Sequence, residues 1–215
     1  MDYKTQKEYF ERAYRTGSDI WTHTPYDLKG KDLTPYLPPN AMILDLGSGR
    51  GRFPFELVNL GFRVIGLEYV KEIVDKNNEE IKINKISDKI RFIEGDVLDV
   101  PFADNSFDGV VDFGLLQHLD RSDWLTYMQE SLRVLKSGGY FLLVLLSKET
   151  EQYLTWNPKK DLNGDFENEG VLYHFFTLDE LIKLFGDNAT LEHQKIDYIK
   201  DKENLAYIVT LFRKK

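Results

Sequence analysis

Residues 42–51 read MILDLGSGRG, a short apolar run that ends in an aspartate and three alternating glycines. An apolar run of this length before a glycine-rich turn is typical of a strand buried on both faces. The glycines let the backbone approach a ligand closely where a Cβ would clash. A candidate helix follows at 52–59, and its first N–H groups favour a negatively charged ligand group. The stretch therefore predicts a nucleoside-type binding site after a first strand.

Further apolar runs recur along the chain. They occupy residues 63–67, 90–94, 107–113 and 140–146. Between them, the apolar spacing predicts helices at 70–84 and 122–135. This alternation is typical of a parallel sheet with crossover helices.

The C-terminal region carries a different pattern. Thr177 and Glu180 have the spacing of a capping box, which predicts a helix that starts there and closes at Gly186. The runs 190–197 and 204–213 alternate apolar and polar residues, as in an antiparallel hairpin. We therefore predict an α/β fold with five parallel strands followed by an antiparallel pair.

The 215 residues suffice for one α/β domain with a substantial core. We divide it into an N-terminal cover (1–39), with a helix at 5–14, and a core that holds the binding site (40–147). An insertion over the site (148–175) and a C-terminal helix with hairpin (176–215) complete the domain.

Composition narrows the function classes. The net charge of −8 disfavours a nucleic-acid partner, which needs a positive surface. The absence of cysteine excludes thiolate metal sites and cysteine nucleophiles, and the four histidines have no metal-ligand spacing, so we expect no metal. The N-terminus has no secretory pattern, and no apolar run is long enough to cross a membrane. We expect a cytoplasmic protein with a small-molecule substrate, either a monomer or a homodimer.

Two acidic residues extend the predicted site. Glu68 ends the second run, about 20 residues after Gly47, where a carboxylate can bind both ribose hydroxyls of a nucleoside. Asp96 follows the third run and can accept a hydrogen bond from adenine N6, while the N–H of Val97 donates to a ring nitrogen. Three neighbouring strand ends describe one crevice. The simpler alternatives are a tight turn at 47–51, a solvated strand end at Glu68 and a helix N-cap at Asp96.

The glycine spacing bears on the choice of cofactor. A dinucleotide fingerprint, G-x-G-x-x-G, needs a third glycine at the position held here by Arg52. Because that glycine is missing, an NAD-dependent oxidoreductase is only the second of the functions that we consider. A protein that binds the cofactor without catalysis remains a third.

These motifs together resemble the class I S-adenosylmethionine-dependent methyltransferases, especially the small-molecule enzymes of type 11/25. The resemblance covers about 41–146 and rests on ILDLGSGRG, Glu68 and the passage from Gly95 to Asp108. It also rests on LLQHL at 115–119 and LRVLKSGG at 132–139. It implies a Rossmann-like, mostly parallel seven-stranded sheet in the order 3-2-1-4-5-7-6, with strand 7 antiparallel and helices on both faces.

The resemblance also implies the cofactor and its contacts. The methionine part of S-adenosylmethionine would be held by Asp45, Gly47, Ser48 and Gly49. Glu68 would bind the ribose, and Tyr69 would pack beside the adenine. Asp96 and Val97 would bind the adenine edge. Phe113 and Gly114 would line the site near the sulfonium and its methyl group.

Methyl transfer from a sulfonium is an in-line displacement, in which alignment supplies much of the catalysis. A hydroxyl or protonated amine acceptor would need a base, and His118 is the candidate. A structural histidine is the equally open alternative. Tyr14 and Trp21 are candidate lid residues that would exclude water, unless the aromatic residues of the N-terminal cover only anchor it.

Overall fold

The computed structural model describes residues 3–23, 29–151, 165–168, 170–199 and 205–215. The strands are β1 Met42–Leu46, β2 Arg63–Glu68, β3 Ile90–Glu94, β4 Phe107–Phe113, β5 Leu135–Leu146, β6 Asp165–Asn168, β7 Val171–His174, β8 Ala189–Ile199 and β9 Leu205–Lys214. Seven of them form one sheet in the order β3-β2-β1-β4-β5-β9-β8. The first five are parallel, and β9 runs antiparallel to β5. With β8 and β9 counted as the sixth and seventh strands, the predicted order is confirmed.

The helices are α1 Lys4–Thr16, α2 Ile20–His23, α3 Arg52–Asn59, α4 Lys71–Ile83, α5 Trp124–Val134 and α6 Leu178–Phe185. All except α2, which was not predicted, lie within a few residues of their predicted positions. Short 3-10 turns lie at Gly30–Leu33, Leu116–His118, Arg121–Asp123 and Gly186–Asn188. The capping box at the start of α6 is present: the Thr177 hydroxyl accepts from the Glu180 N–H, and Glu180 accepts from the Thr177 N–H.

Alternate side chains of the central strands enter two apolar clusters on opposite faces of the sheet. Leu44 and Val110 pack with α5 and α6 on one face. Ile43 and Val111 pack with α3 and α4 on the other. Because helices bury both faces, the strands read as continuous apolar runs rather than as alternating ones.

The structure departs from the sequence prediction in two places. β5 begins at Leu135 rather than at 140, because Gly138, at φ 76°, bends the strand without ending it. The last part of the N-terminal cover also belongs to the core, since Leu33 and Leu37 are buried in the α3–α4 cluster.

The predicted insertion is described only in part. Residues 152–164 and 169 lie outside the described residues, and β6 pairs with β7 in a separate hairpin. Val171 in this hairpin is fully buried. Across the described ranges, we find no helix that combines the length and the apolar character needed to cross a membrane.

Candidate active site

The loop after β1 has a backbone that only glycine adopts readily. Gly47 has φ 70° and Gly49 has φ 49°, both in the left-handed region. A Cβ on Gly47 would overlap a methyl group of Leu115, and one on Gly49 would lie 2.9 Å from the Tyr14 hydroxyl. The loop is therefore enclosed by the turn after β4 and by α1.

Glu68 connects the end of β2 to this loop. Its Oε2 accepts from the Gly49 N–H at 2.9 Å, and its Oε1 accepts from the Val70 N–H at 2.9 Å. Burial raises the pKa of Glu68, although these backbone donors oppose the shift. A carboxylate oxygen has two acceptor lone pairs, so both oxygens retain capacity for ligand hydroxyls.

Asp45 is a buried carboxyl with an unsatisfied atom. Only 2% of the residue is exposed, and its Oδ1 has no hydrogen-bond partner among the described residues. Burial raises the pKa of Asp45 well above its usual value, and the negative charges of Asp112 and Glu68 raise it further. Because an unpaired buried polar group costs free energy, a ligand that brings an N–H or a cation here would be stabilised.

One cavity of about 1020 Å³ lies at this edge of the sheet. Small-molecule pockets span about 300–1,000 Å³, so it has the size for a large ligand or for two ligands. All of the residues that the sequence predicted for the site line this cavity: Tyr14, Trp21, Asp45, Gly47, Ser48, Gly49, Glu68, Tyr69, Asp96, Val97, Phe113, Gly114 and His118. What each of them does there stays a prediction.

Asp96 and Tyr69 border the end of the cavity nearest β3. The Asp96 Oδ1 accepts from the Leu98 N–H at 2.9 Å within a turn, and no helix begins there, so the helix N-cap given above as the simpler alternative is wrong. The ammonium of Lys7 lies 5.4 Å from the centre of the Tyr69 ring, and the Phe10 ring lies 6.3 Å from it. Tyr69 is thus held between β2 and α1.

Aromatic rings of the N-terminal cover form a roof over the cavity. The Trp21 ring centre lies 5.3 Å from that of Phe10 and 5.8 Å from that of Tyr14. These rings also pack on Val70 and Ile73 at the start of α4. The rings thus anchor the segment and also line the cavity, and their role as a lid stays a prediction.

Two polar contacts hold α1 against the turn after β4 and against β7. The buried Gln6 amide donates to the His118 carbonyl oxygen at 2.9 Å. The Gln6 Oε1 accepts from the Leu172 N–H at 2.9 Å. This contact could not be predicted from the sequence, because Gln6 lies on a polar helix and its partners are more than 100 residues away.

His118 is neutral in this setting. Its Nδ1 lies 2.7 Å from the Leu172 carbonyl oxygen, which only accepts, so Nδ1 carries the proton and Nε2 a lone pair. The Nε2 lies 3.3 Å from the Gln117 amide nitrogen, whose orientation is fixed by the Leu146 N–H donating to the Gln117 Oε1. Burial lowers the pKa of His118 to about 4. His118 therefore has hydrogen-bond contacts of the kind expected for a structural histidine. With a pKa of about 4, it would be a weak base.

Asp112 is a further buried acid that we did not predict. It is fully buried and accepts from the N–H groups of Leu115 at 2.6 Å and Leu116 at 2.9 Å. The Tyr127 hydroxyl donates to it at 2.5 Å, and burial raises its pKa to about 6. Asp112 thereby fixes the turn that carries Gln117 and His118. Its signal in the sequence was a charged residue within an apolar strand.

Further residues line the end of the cavity away from β3. Most are aromatic or aliphatic and come from α3, β5, β7 and β9. They include Phe53, Leu146, Tyr173, Leu205 and Tyr207. This end of the cavity therefore suits an apolar ligand.

The comparisons with known proteins agree with this geometry. Residues 44–143 match the family described as "Methyltransferase domain". A ubiquinone/menaquinone biosynthesis C-methyltransferase from Geotalea daltonii is 29% identical over 152 residues, which are 69% of this chain and 57% of the relative. A demethylmenaquinone methyltransferase from Lactococcus lactis is 34% identical over 140 residues, 61% of this chain and 50% of the relative. The chain thus spans little more than half the length of these relatives.

Solved structures share the fold. The 1,6-didemethyltoxoflavin-N1-methyltransferase of Burkholderia thailandensis, solved with 1,6-didemethyltoxoflavin and S-adenosylhomocysteine, has a TM-score of 0.81 and 24% identity, covering 98% of this chain and 88% of that chain. A methyltransferase from Methanosarcina mazei has a TM-score of 0.73 and 23% identity, covering 85% of this chain and 96% of that chain. The family match and the fold agree. Residues 44–143 therefore match the methyltransferase domain family, and the chain shares the fold of solved methyltransferases.

Proposed function

We propose that this chain transfers a methyl group from S-adenosylmethionine to a small-molecule acceptor by in-line displacement. The observation that carries the proposal is the unsatisfied Asp45 carboxyl on the wall of the cavity that Glu68 and Gly49 also line. S-adenosylmethionine brings an ammonium group and a ribose diol, which are donors that two carboxylates can bind.

The residues present fit this cofactor from one end to the other. Asp45 would accept from the ammonium group, and the glycine loop would let the methionine part approach the backbone. The Glu68 oxygens would accept from the ribose hydroxyls in addition to the N–H groups of Gly49 and Val70. Tyr69 and Asp96 would border the adenine, and Phe113 and Gly114 the sulfonium.

When bound, the sulfonium supplies a methyl group that is already activated. The bond from sulfur to the methyl carbon breaks as the bond from the acceptor atom forms, and the electron pair stays on sulfur. The contribution of the chain is to align the acceptor and to exclude water under the aromatic roof. A proton lost by the acceptor would pass to His118 Nε2 only if methylation acidifies the acceptor strongly, because the pKa of His118 is about 4.

The lining of the cavity favours a flat, largely apolar acceptor. Phe10 and Trp21 of the N-terminal cover line the cavity together with Tyr173 and Tyr207. Aromatic walls bind planar rings by stacking and edge contacts. Relatives named for ubiquinone and menaquinone biosynthesis, and the neighbour solved with 1,6-didemethyltoxoflavin, support a ring-shaped acceptor.

Calorimetry with S-adenosylmethionine, S-adenosylhomocysteine and NADH tests the cofactor assignment. We expect the first two to bind and NADH not to bind; the reverse pattern would replace this proposal with an oxidoreductase. Incubation with methyl-labelled cofactor and a panel of quinols, phenols and nitrogen heterocycles tests turnover. The panel is then widened to thiols, amines and carboxylates. If the protein binds the cofactor but methylates none of these compounds, it binds the cofactor without catalysis.

A further inference from the structure

The guanidinium of Arg50 joins the glycine-rich loop to the N-terminal cover. Its Nε donates to Asp19 Oδ2 at 2.6 Å, and its Nη2 donates to Asp19 Oδ1 at 2.9 Å. The same Nη2 donates to the Tyr14 carbonyl oxygen at 2.6 Å. A two-pronged arginine–carboxylate pair is among the strongest and most directional polar contacts in proteins.

Asp19 depends on this contact. The residue is fully buried, and the Thr22 hydroxyl also donates to its Oδ2 at 2.5 Å. Burial acts to raise the pKa of Asp19, but hydrogen bonds from Arg50 and Thr22 bring it below its usual value. A buried charge that loses its partner is strongly destabilised, so this part of the cover is stable only while Arg50 contacts it.

The segment held in this way includes the roof of the cavity. Asp19 lies between Tyr14 and Trp21, both of which line the cavity. The Tyr14 hydroxyl lies against Gly49, which has no side chain to keep it away. Lifting the cover off the loop therefore requires Arg50 to separate from Asp19 and from the Tyr14 carbonyl.

We infer that Arg50 is a positioning residue that holds the N-terminal cover closed over the cofactor and thereby sets the rate of cofactor exchange. The inference rests on the proposed function, since it takes the cofactor to lie beside the loop 47–51. Arg50 would act through Asp19 and Tyr14, and its side chain need not touch the reacting atoms.

The test compares Arg50→Met with Arg15→Met. Arg15 is a matched control on α1, because it pairs with Glu72 at 3.8 Å on the surface, with 67% of its side chain exposed. Stopped-flow fluorescence with S-adenosylhomocysteine gives both rate constants. For Arg50→Met we expect the dissociation rate constant to rise about tenfold or more and the association rate constant to rise as well, so that Kd rises by less than the dissociation rate constant. For Arg15→Met neither should change.

Hydrogen exchange of the peptide covering residues 10–23 gives a readout that does not depend on the ligand. Without ligand, its amides should exchange about tenfold faster in Arg50→Met than in the wild type. Asp19→Asn breaks the same contact from the cover and serves if Arg50→Met fails to fold. Unchanged exchange in a folded variant overturns the inference, as does a rise in Kd with no rise in the association rate constant. If wild-type protein does not bind S-adenosylhomocysteine, the proposed function fails instead, while the exchange comparison still reports on the cover.

Discussion

The Tyr127 hydroxyl donates a 2.5 Å hydrogen bond to Asp112 and so connects α5 to the carboxyl end of β4. Both residues are fully buried. Asp112 also accepts from two N–H groups of the following turn, which lines the cavity. Tyr127 and Asp112 therefore connect a helix in the core to a wall of the cavity.

Tyr127→Phe should lower the free energy of unfolding by about 1.5–3 kcal/mol at pH 7, the usual contribution of a hydrogen bond to a charged group. The ring keeps its packing, so the change isolates the hydroxyl. The pKa of Asp112 is raised by burial to about 6, so the carboxyl is neutral at pH 4.5 and the loss should be smaller there. Urea unfolding at both pH values measures this difference.

Tyr36→Phe is the control for that substitution. Tyr36 packs on Tyr140 with ring centres 5.0 Å apart, away from the cavity. We expect a change within about 0.5 kcal/mol at both pH values. An equal loss from Tyr127→Phe at pH 7 and pH 4.5 would mean that the charge on Asp112 is not what the hydroxyl stabilises.

Glu68→Ala should weaken S-adenosylhomocysteine binding by about 1–3 kcal/mol, because the proposed charge-assisted hydrogen bonds from the ribose hydroxyls would be lost. Isothermal calorimetry measures the change. Glu72→Ala, which changes an exposed glutamate in the first turn of the neighbouring helix α4, is the control and should leave the affinity unaltered. Full affinity in Glu68→Ala would remove Glu68 from the ribose site.

Features of the fold can be predicted from the sequence when they depend on residues that lie close together in the chain. The five parallel strands and the capping box of α6 follow from residues close together in the chain, and they are confirmed. The strand order came from the family resemblance. The continuation of β5 through Gly138 was missed because a glycine pair is read locally as a stop, whereas β5 pairs with β4 on both sides of the pair, at Leu135 and from Tyr140 onward, with a register shift between them.

The site divides in the same way. Asp45, Glu68 and Asp96 could be placed on one cavity because each lies at or just after the carboxyl end of one of three neighbouring strands. Two contacts could not be predicted from the sequence, that of Gln6 with Leu172 and that of Arg50 with Asp19. They join segments that meet only once α1 has docked. The position of His118 was found from sequence, but its low pKa was not, since burial is a property of the folded chain.

Glu180 should make stability depend on pH in the acid range. Burial acts to raise the pKa of Glu180, but the contact with His174 and hydrogen bonds from Thr177 outweigh it and lower the pKa to about 2. A carboxyl whose pKa is lowered in the folded state stabilises the protein fully when the pH is above the pKa of the unfolded chain, near 4.3. This contribution is lost as the pH falls towards 2. We therefore expect the difference in unfolding free energy between wild type and Glu180→Gln to shrink from pH 5 to pH 2.5.

Glu79→Gln provides the comparison for Glu180, since Glu79 lies on the exposed face of α4. Chemical unfolding across the range should give a flat difference for this control. If the Glu180→Gln difference were also flat with pH, the contact with His174, at 3.3 Å, would not be holding the carboxylate in its charged form.

Gly49→Ala tests whether the glycine loop needs both its backbone conformation and its contact with the cover. Gly17, which ends α1, supplies the control: its φ is 70°, and an added Cβ would meet no heavy atom within 4 Å. Both substitutions should cost about 1–2 kcal/mol for left-handed backbone. Gly49→Ala should cost more, because its Cβ would lie 2.9 Å from the Tyr14 hydroxyl and would push the cover away. Thermal unfolding with S-adenosylhomocysteine titration measures both effects, and equal losses in the two variants would show that Tyr14 does not press on the loop.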